Sequence, residues 1–144
     1  MVVLGGQPFD GSHVMVTGAN RGLGLALAEH LATLGASEVH LVCRRRADAH
    51  EAAQSLRRAT GRHSCIVPYD ADADLACPRE LRELACSLAK RRRPLDLLIN
   101  NAAVCEPGWT RDVVRRALRT NVLAPAALSR ALEPCLEASA TGGA

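Results

Sequence analysis

Aromatic side chains are nearly missing, with one Phe, one Tyr and one Trp among 144 residues. Without an aromatic series there is no platform for stacking bases, and a formal net charge of +3 is too small to draw a phosphate backbone, so no nucleic-acid partner is expected. No run of about 18 apolar residues occurs, so no membrane span is expected either. The first eleven residues carry neither a basic segment nor a long apolar one, so a secretory signal is not expected. The six cysteines form no Cys-x-x-Cys pair, and two lie within apolar strand-like segments. They read as free thiols rather than a metal site or a disulfide framework. From these absences a soluble, cytoplasmic protein is expected. Its length suits one domain, 1–144, that buries roughly two thirds of its unfolded surface.

What is present starts at His13. Val14, Met15 and Val16 form an apolar strand that runs into Thr17-Gly18, and Gly22 and Gly24 follow as a helix begins. Gly18 permits the tight turn, Gly22 lets backbone approach a bound group, and Gly24 keeps helix and strand close. Free N–H groups at the helix start suit a phosphate. The turn therefore predicts a dinucleotide pyrophosphate site built from Gly18, Asn20, Arg21, Gly22, Leu23 and Gly24.

Apolar periodicity carries the reading along the chain. A first helix is expected over 22–34, stopped by Gly35, and a second strand over 38–43. A second helix over 47–60 is closed by Gly61, and a third strand lies within 63–69. After a polar loop at 70–74, a third helix runs from Pro78 to about residue 91 and a fourth strand spans 95–99. One long helix is expected from about 110 to 136, and the structured region spans about 9–136 with flexible tails on both sides. Strands alternating with helices predict an α/β, Rossmann-like three-layer fold with a parallel sheet in the order 3-2-1-4.

The second strand ends in Arg44-Arg45-Arg46, and Arg44 stands twenty residues after Gly24. Folds that prefer NAD place an acid there for the ribose 2′-hydroxyl, whereas an arginine pairs with a 2′-phosphate. Arg44 and Arg45, with Arg21 in the glycine turn, thus favour NADP over NAD. The competing reading is a solvated arginine loop. Asp70, with the Ala71 amide, is a candidate acceptor for an adenine amino group at a strand's carboxyl end, or simply a turn residue. Asn100 and Ala102, after the fourth strand, are expected to line the same crevice, with Asn100 tying that strand to its neighbour. No metal ligand set is read from the five histidines.

Four segments in this order, TGANRGLG, CR, D and INNAA, resemble the short-chain dehydrogenase/reductase family, whose pattern is TGxxxGxG with NNAG. The resemblance covers about residues 9–136, and VHLVCRRR is similar to its retinol-dehydrogenase-like branch. Ala103 stands where that pattern has glycine. The resemblance implies hydride transfer between NADP(H) and a carbonyl or alcohol substrate. It also implies that Asn121, in RTNVLAP, is the asparagine of the family's catalytic tetrad. Pro125 has no N–H, so the Asn121 carbonyl lacks a helical partner and is free to hold a water of a proton relay, or else marks a plain kink.

The family's Tyr-x-x-x-Lys pair and its serine are not matched: the single tyrosine is Tyr69 and the single lysine Lys90. By the resemblance, the fold is incomplete and the chain is the cofactor-binding part of a longer reductase. The alternatives are a non-catalytic NADP(H)-binding module and an inactive truncated product. The fourth strand would then be an apolar sheet edge, open to self-association. Residues 90–93 read as a solvated basic helix end.

Overall fold

A computed structural model describes residues 7–90 and 93–141. Four strands, β1 (His13–Thr17), β2 (Glu38–Val42), β3 (Ile66–Pro68) and β4 (Leu97–Ile99), form one parallel sheet in the order β3-β2-β1-β4. Between them lie α1 (Gly22–Thr33), α2 (Arg46–Thr60) and α3 (Pro78–Lys90). After β4 come α4 (Arg111–Leu118), a π-helical turn (Arg119–Leu123) and α5 (Ala124–Thr141). Among the described residues no helix is long and apolar enough to cross a membrane.

Strand alternation makes the layers. Val14 and Val16 of β1 and Val39 and Leu41 of β2 point to one face, where they pack with Ala28 and Leu31 of α1 and Ala49, Ala53 and Leu56 of α2. The alanines let both helices lie close to the sheet. Met15 and Val42 point the other way, against Leu84 and Leu88 of α3 and Leu128 and Leu132 of α5. Each fully buried leucine stabilises the fold by about 1.5–3 kcal/mol relative to exposure.

The expected architecture and strand order are present. Gly35 and Gly61 end α1 and α2 in left-handed backbone, at φ 101° and 69°. One expectation is corrected: residues 110–136 are not a single regular helix. Pro125 cannot donate to the carbonyl of Asn121, and the ladder shifts locally, with the Ala124 amide donating to the Arg119 carbonyl. The helix after the break continues through Thr141, past residue 136. Flexible tails were expected at both ends, and residues 1–6 and 142–144 lie outside the described residues. So do residues 91 and 92 of the basic run; Arg93 pairs with Glu38 at 2.8 Å.

Candidate functional site

The carboxyl ends of β1, β2 and β4 open onto a cavity of about 440 Å³. Gly18, Asn20, Arg21 and Gly22 form one wall of it. Gly18 turns the chain at φ 65°, and a Cβ there would meet the Cα of Ala102 at 2.9 Å. At Gly24 a Cβ would collide with the Gly18 carbonyl oxygen and Asn101 Nδ2, so the helix start can pack on the strand only without a side chain. Gly22, at φ 57°, has nothing within 4 Å of a built Cβ. Gly22 itself lines the cavity.

The start of α1 is left without a side-chain cap. Arg21 at its N-cap makes no capping bond and the first turn holds no acid. By contrast Thr110 caps α4 through the Val113 amide at 3.3 Å, and α2 and α4 carry Asp48 and Asp112 in their first turns. An uncapped helix start with its positive dipole end toward a cavity suits an anion.

Thr17, buried at the end of β1, fixes the adjoining wall. Its Oγ1 accepts from the amides of Asn101 and Ala102, each at 3.1 Å. Asn101 Nδ2 donates to the carbonyls of Thr17 at 3.0 Å and Gly18 at 3.2 Å. The tie expected of Asn100 is therefore made by its neighbour. The Asn101 amide also donates back to the Ile99 carbonyl at 3.1 Å, a tight turn that sends Asn100 toward Ser129 of α5, at 3.4 Å, and Asn101 toward β1. Asn101 and Ala102 line the cavity, and Asn100 is not on its wall.

The three arginines separate into two kinds. Arg45 grips Asp48 at 2.6 and 3.0 Å, and Arg46 holds Asp70 at 2.6 Å. Arg44 lines the cavity and has no ion-pair partner among the described residues. Asp48 reaches the same wall. The Arg45 hydrogen bonds, opposed by burial and helped by the charges of Arg45, Arg44 and Arg21, hold its carboxyl below the usual carboxylate range. Beside Arg44, burial pushes the Cys43 thiol up to about 11, which keeps it protonated and unreactive.

Asp70 does not face the cavity. Its exposed carboxylate binds Arg46 and, at 2.9 Å, His50, and these two bonds lower its pKa. Neither Asp70 nor Ala71 is on the wall; Ala73, Asp74 and Leu75 are, held there by the Ala73 amide donating to the Arg44 carbonyl at 3.0 Å. The loop has three aspartates at alternate positions, so sequence spacing left the wrong one equally attractive. Leu23 is 69 % exposed and also stands off the wall, as Arg45 does.

Asn121 sits in the π turn. Its Oδ1 accepts from the Val104 amide and its Nδ2 donates to the Val104 carbonyl, both at 2.9 Å. The amide side chain thus acts as a peptide unit, binding the break between α4 and α5 to the loop after β4. Val104 and Thr120 line the cavity beside it. Tyr69 lies elsewhere, with its hydroxyl 3.1 Å from Ser87 Oγ against α3. Among the described residues no group of three His, Cys, Asp or Glu side chains is arranged to hold a metal.

Residues 12–144 match the family profile described as short chain dehydrogenase. The chain is 37 % identical over 130 residues to human dehydrogenase/reductase SDR family member 13, covering 90 % of this chain and 33 % of that protein. It is 37 % identical over 147 residues to mouse retinol dehydrogenase 14, covering 94 % and 44 %. It thus spans less than half the length of either. L-sorbose reductase from Gluconobacter frateurii, solved with NADPH and L-sorbose, superposes with a TM-score of 0.78 at 28 % identity, over 92 % of this chain and 50 % of that one.

Proposed function

Because the chain belongs to the short-chain dehydrogenase family, with retinol dehydrogenase 14 among its relatives, we propose that it binds NADP(H) as the cofactor-binding part of an oxidoreductase acting on a carbonyl or alcohol. One observation carries the choice of NADP. Of three consecutive arginines, two are neutralised by carboxylates and the third, Arg44, faces the cavity with its charge uncompensated by an ion pair among the described residues. A solvated loop gives no reason for that difference, whereas a 2′-phosphate does. The NADPH complex of L-sorbose reductase supports the same reading.

The remaining wall fits the group. The bare Gly22 and the uncapped α1 leave room and N–H donors for a pyrophosphate. Arg21 and Arg44 offer two cations for the ribose phosphate, and Asp74 and Leu75 stand near Arg44 as candidates for the base. NADP(H), when bound, supplies the hydride chemistry. Asn121 holds Val104 at the cavity edge, and in this reading it positions the far wall.

The single tyrosine is bonded to Ser87 and no Tyr-x-x-x-Lys occurs in the 144 residues. We therefore expect this chain to bind cofactor without turning over a carbonyl by itself. Six free cysteines are consistent with an intracellular setting. The free side of β4, whose Leu97, Leu98 and Ile99 are only half-buried, is the place for a second copy or another segment to pair.

Titrating the purified chain with NADPH and NADH tests the reading. NADPH should bind at least tenfold more tightly, and Arg44→Ala should remove about ten- to a hundredfold of NADPH affinity while sparing NADH. Equal affinities, or no binding of either nucleotide, would overturn it.

A further inference from the structure

The cavity wall that receives Arg44 also receives a carboxylate, Asp48, whose side chain is 15 % exposed. Its position is unfavourable for the ligand proposed above. A bare carboxylate near a ribose opposes a 2′-phosphate and accepts from a free 2′-hydroxyl, which is the arrangement of NAD-preferring folds. Asp48 is not bare. Arg45 Nε meets Oδ2 at 3.0 Å and Arg45 Nη2 meets Oδ1 at 2.6 Å, so a planar fork occupies both oxygens and cancels the charge. Arg45 does this from outside: its side chain is 68 % exposed and is not on the wall.

The local backbone explains why the pair forms. Arg45 is the extended N-cap residue of α2, and Asp48 is three residues on, in the first turn, within reach of the guanidinium. Arg46 is turned away to Asp70, so it does not compete for Asp48. Consecutive arginines are thereby given different tasks.

We propose that Arg45 is a specificity-determining positioning residue, which masks Asp48 and so keeps the ribose end of the cavity selective for a 2′-phosphate. It touches no ligand in this account. Its effect passes through Asp48, and the inference rests on the NADP(H) reading of the site. Removing Arg45 should uncover a carboxylate whose preference runs toward the unphosphorylated dinucleotide.

The experiment is a set of calorimetric titrations of the full chain and its variants with NADPH and with NADH, with circular dichroism to establish that each variant is folded. Arg45→Ala should lower the NADPH-to-NADH affinity ratio by roughly tenfold, through weaker NADPH and equal or tighter NADH binding. Adding Asp48→Asn to it should return the ratio to the starting value, because the unmasked charge is gone. Arg45→Lys, which keeps charge but not the fork, should fall between them.

A ratio unchanged in Arg45→Ala overturns the inference while leaving the NADP(H) reading intact. So does an equal loss for both nucleotides, or a double variant no better than Arg45→Ala, since either would mean that the pair only holds α2 in place. If the unaltered chain binds neither nucleotide, the NADP(H) reading itself fails and the inference falls with it.

Discussion

At Gly24 helix propensity and packing pull in opposite directions, so a single substitution separates them. Propensity alone would make Gly24→Ala stabilising by about 1 kcal/mol. The built Cβ collides with the Gly18 carbonyl oxygen and Asn101 Nδ2, and overpacking of this kind costs about 1–3 kcal/mol or more. The net expectation is a less stable chain with weakened nucleotide binding, read from urea unfolding and an NADPH titration. A stabilised variant would show that the turn relaxes freely. Gly24 was legible because spacing alone marks a glycine between strand and helix. Asn101 was not, because the tight turn at Asn100 decides which amide faces β1, and that turn is held by Thr17, 84 residues away along the chain. Asp74 escaped for a related reason: Arg46 and His50 draw Asp70 away, and both lie on α2.

Among elements, α1 begins with neither a side-chain cap nor an acid in its first turn, and it gives up some stability in doing so. Leu23, 69 % exposed in its first turn, tests this. Leu23→Glu places a negative charge at the positive end of the helix and should stabilise the fold by about 0.3–1 kcal/mol. The same charge competes with a bound pyrophosphate, so NADPH affinity should fall as the melting temperature rises. A rise in both would argue against an anion at this helix start. Strands and helices α1 to α3 were readable to within a few residues from periodicity and terminal glycines. The break between α4 and α5 was readable only in its cause. Pro125 announces a lost hydrogen bond, but the π register that answers it is fastened by Asn121 to Val104, a contact 17 residues apart that no periodicity encodes.

For the whole molecule, the two ends of the sheet have different electrostatic work. The carboxyl end sets Arg21 and Arg44 on the cavity wall without an ion pair among the described residues, while at the amino end Glu38 is paired with His40 and Arg93. Burial tends to raise the Glu38 pKa, but His40, Arg93 and His13 together bring it below its ordinary value. Burial opposes in the same way at Asp96, where the Ser139 hydroxyl and the His13 amide pull the carboxyl down. Groups with depressed folded values stabilise fully above their unfolded pKa and lose that contribution as pH falls through the folded one. Stability should therefore be flat in these groups above about pH 5 and decline below about pH 4. Urea midpoints across that range should show a smaller decline in Asp96→Asn than in the unaltered chain. An identical decline would remove Asp96 from the account.

The bond from Asn101 to Thr17 joins residues 84 positions apart, and it holds Asn101 where it lines the cavity. In kinetic terms the site has high contact order: its glycine turn is local, but its far wall waits for β4 to cross α2, β3 and α3 and dock on β1. Early compact forms can contain α1, β1 and β2 and still have nowhere to put a nucleotide. A molecule that binds has docked β4 on β1, so ligand capture during refolding counts chains with that pairing made rather than collapsed chains.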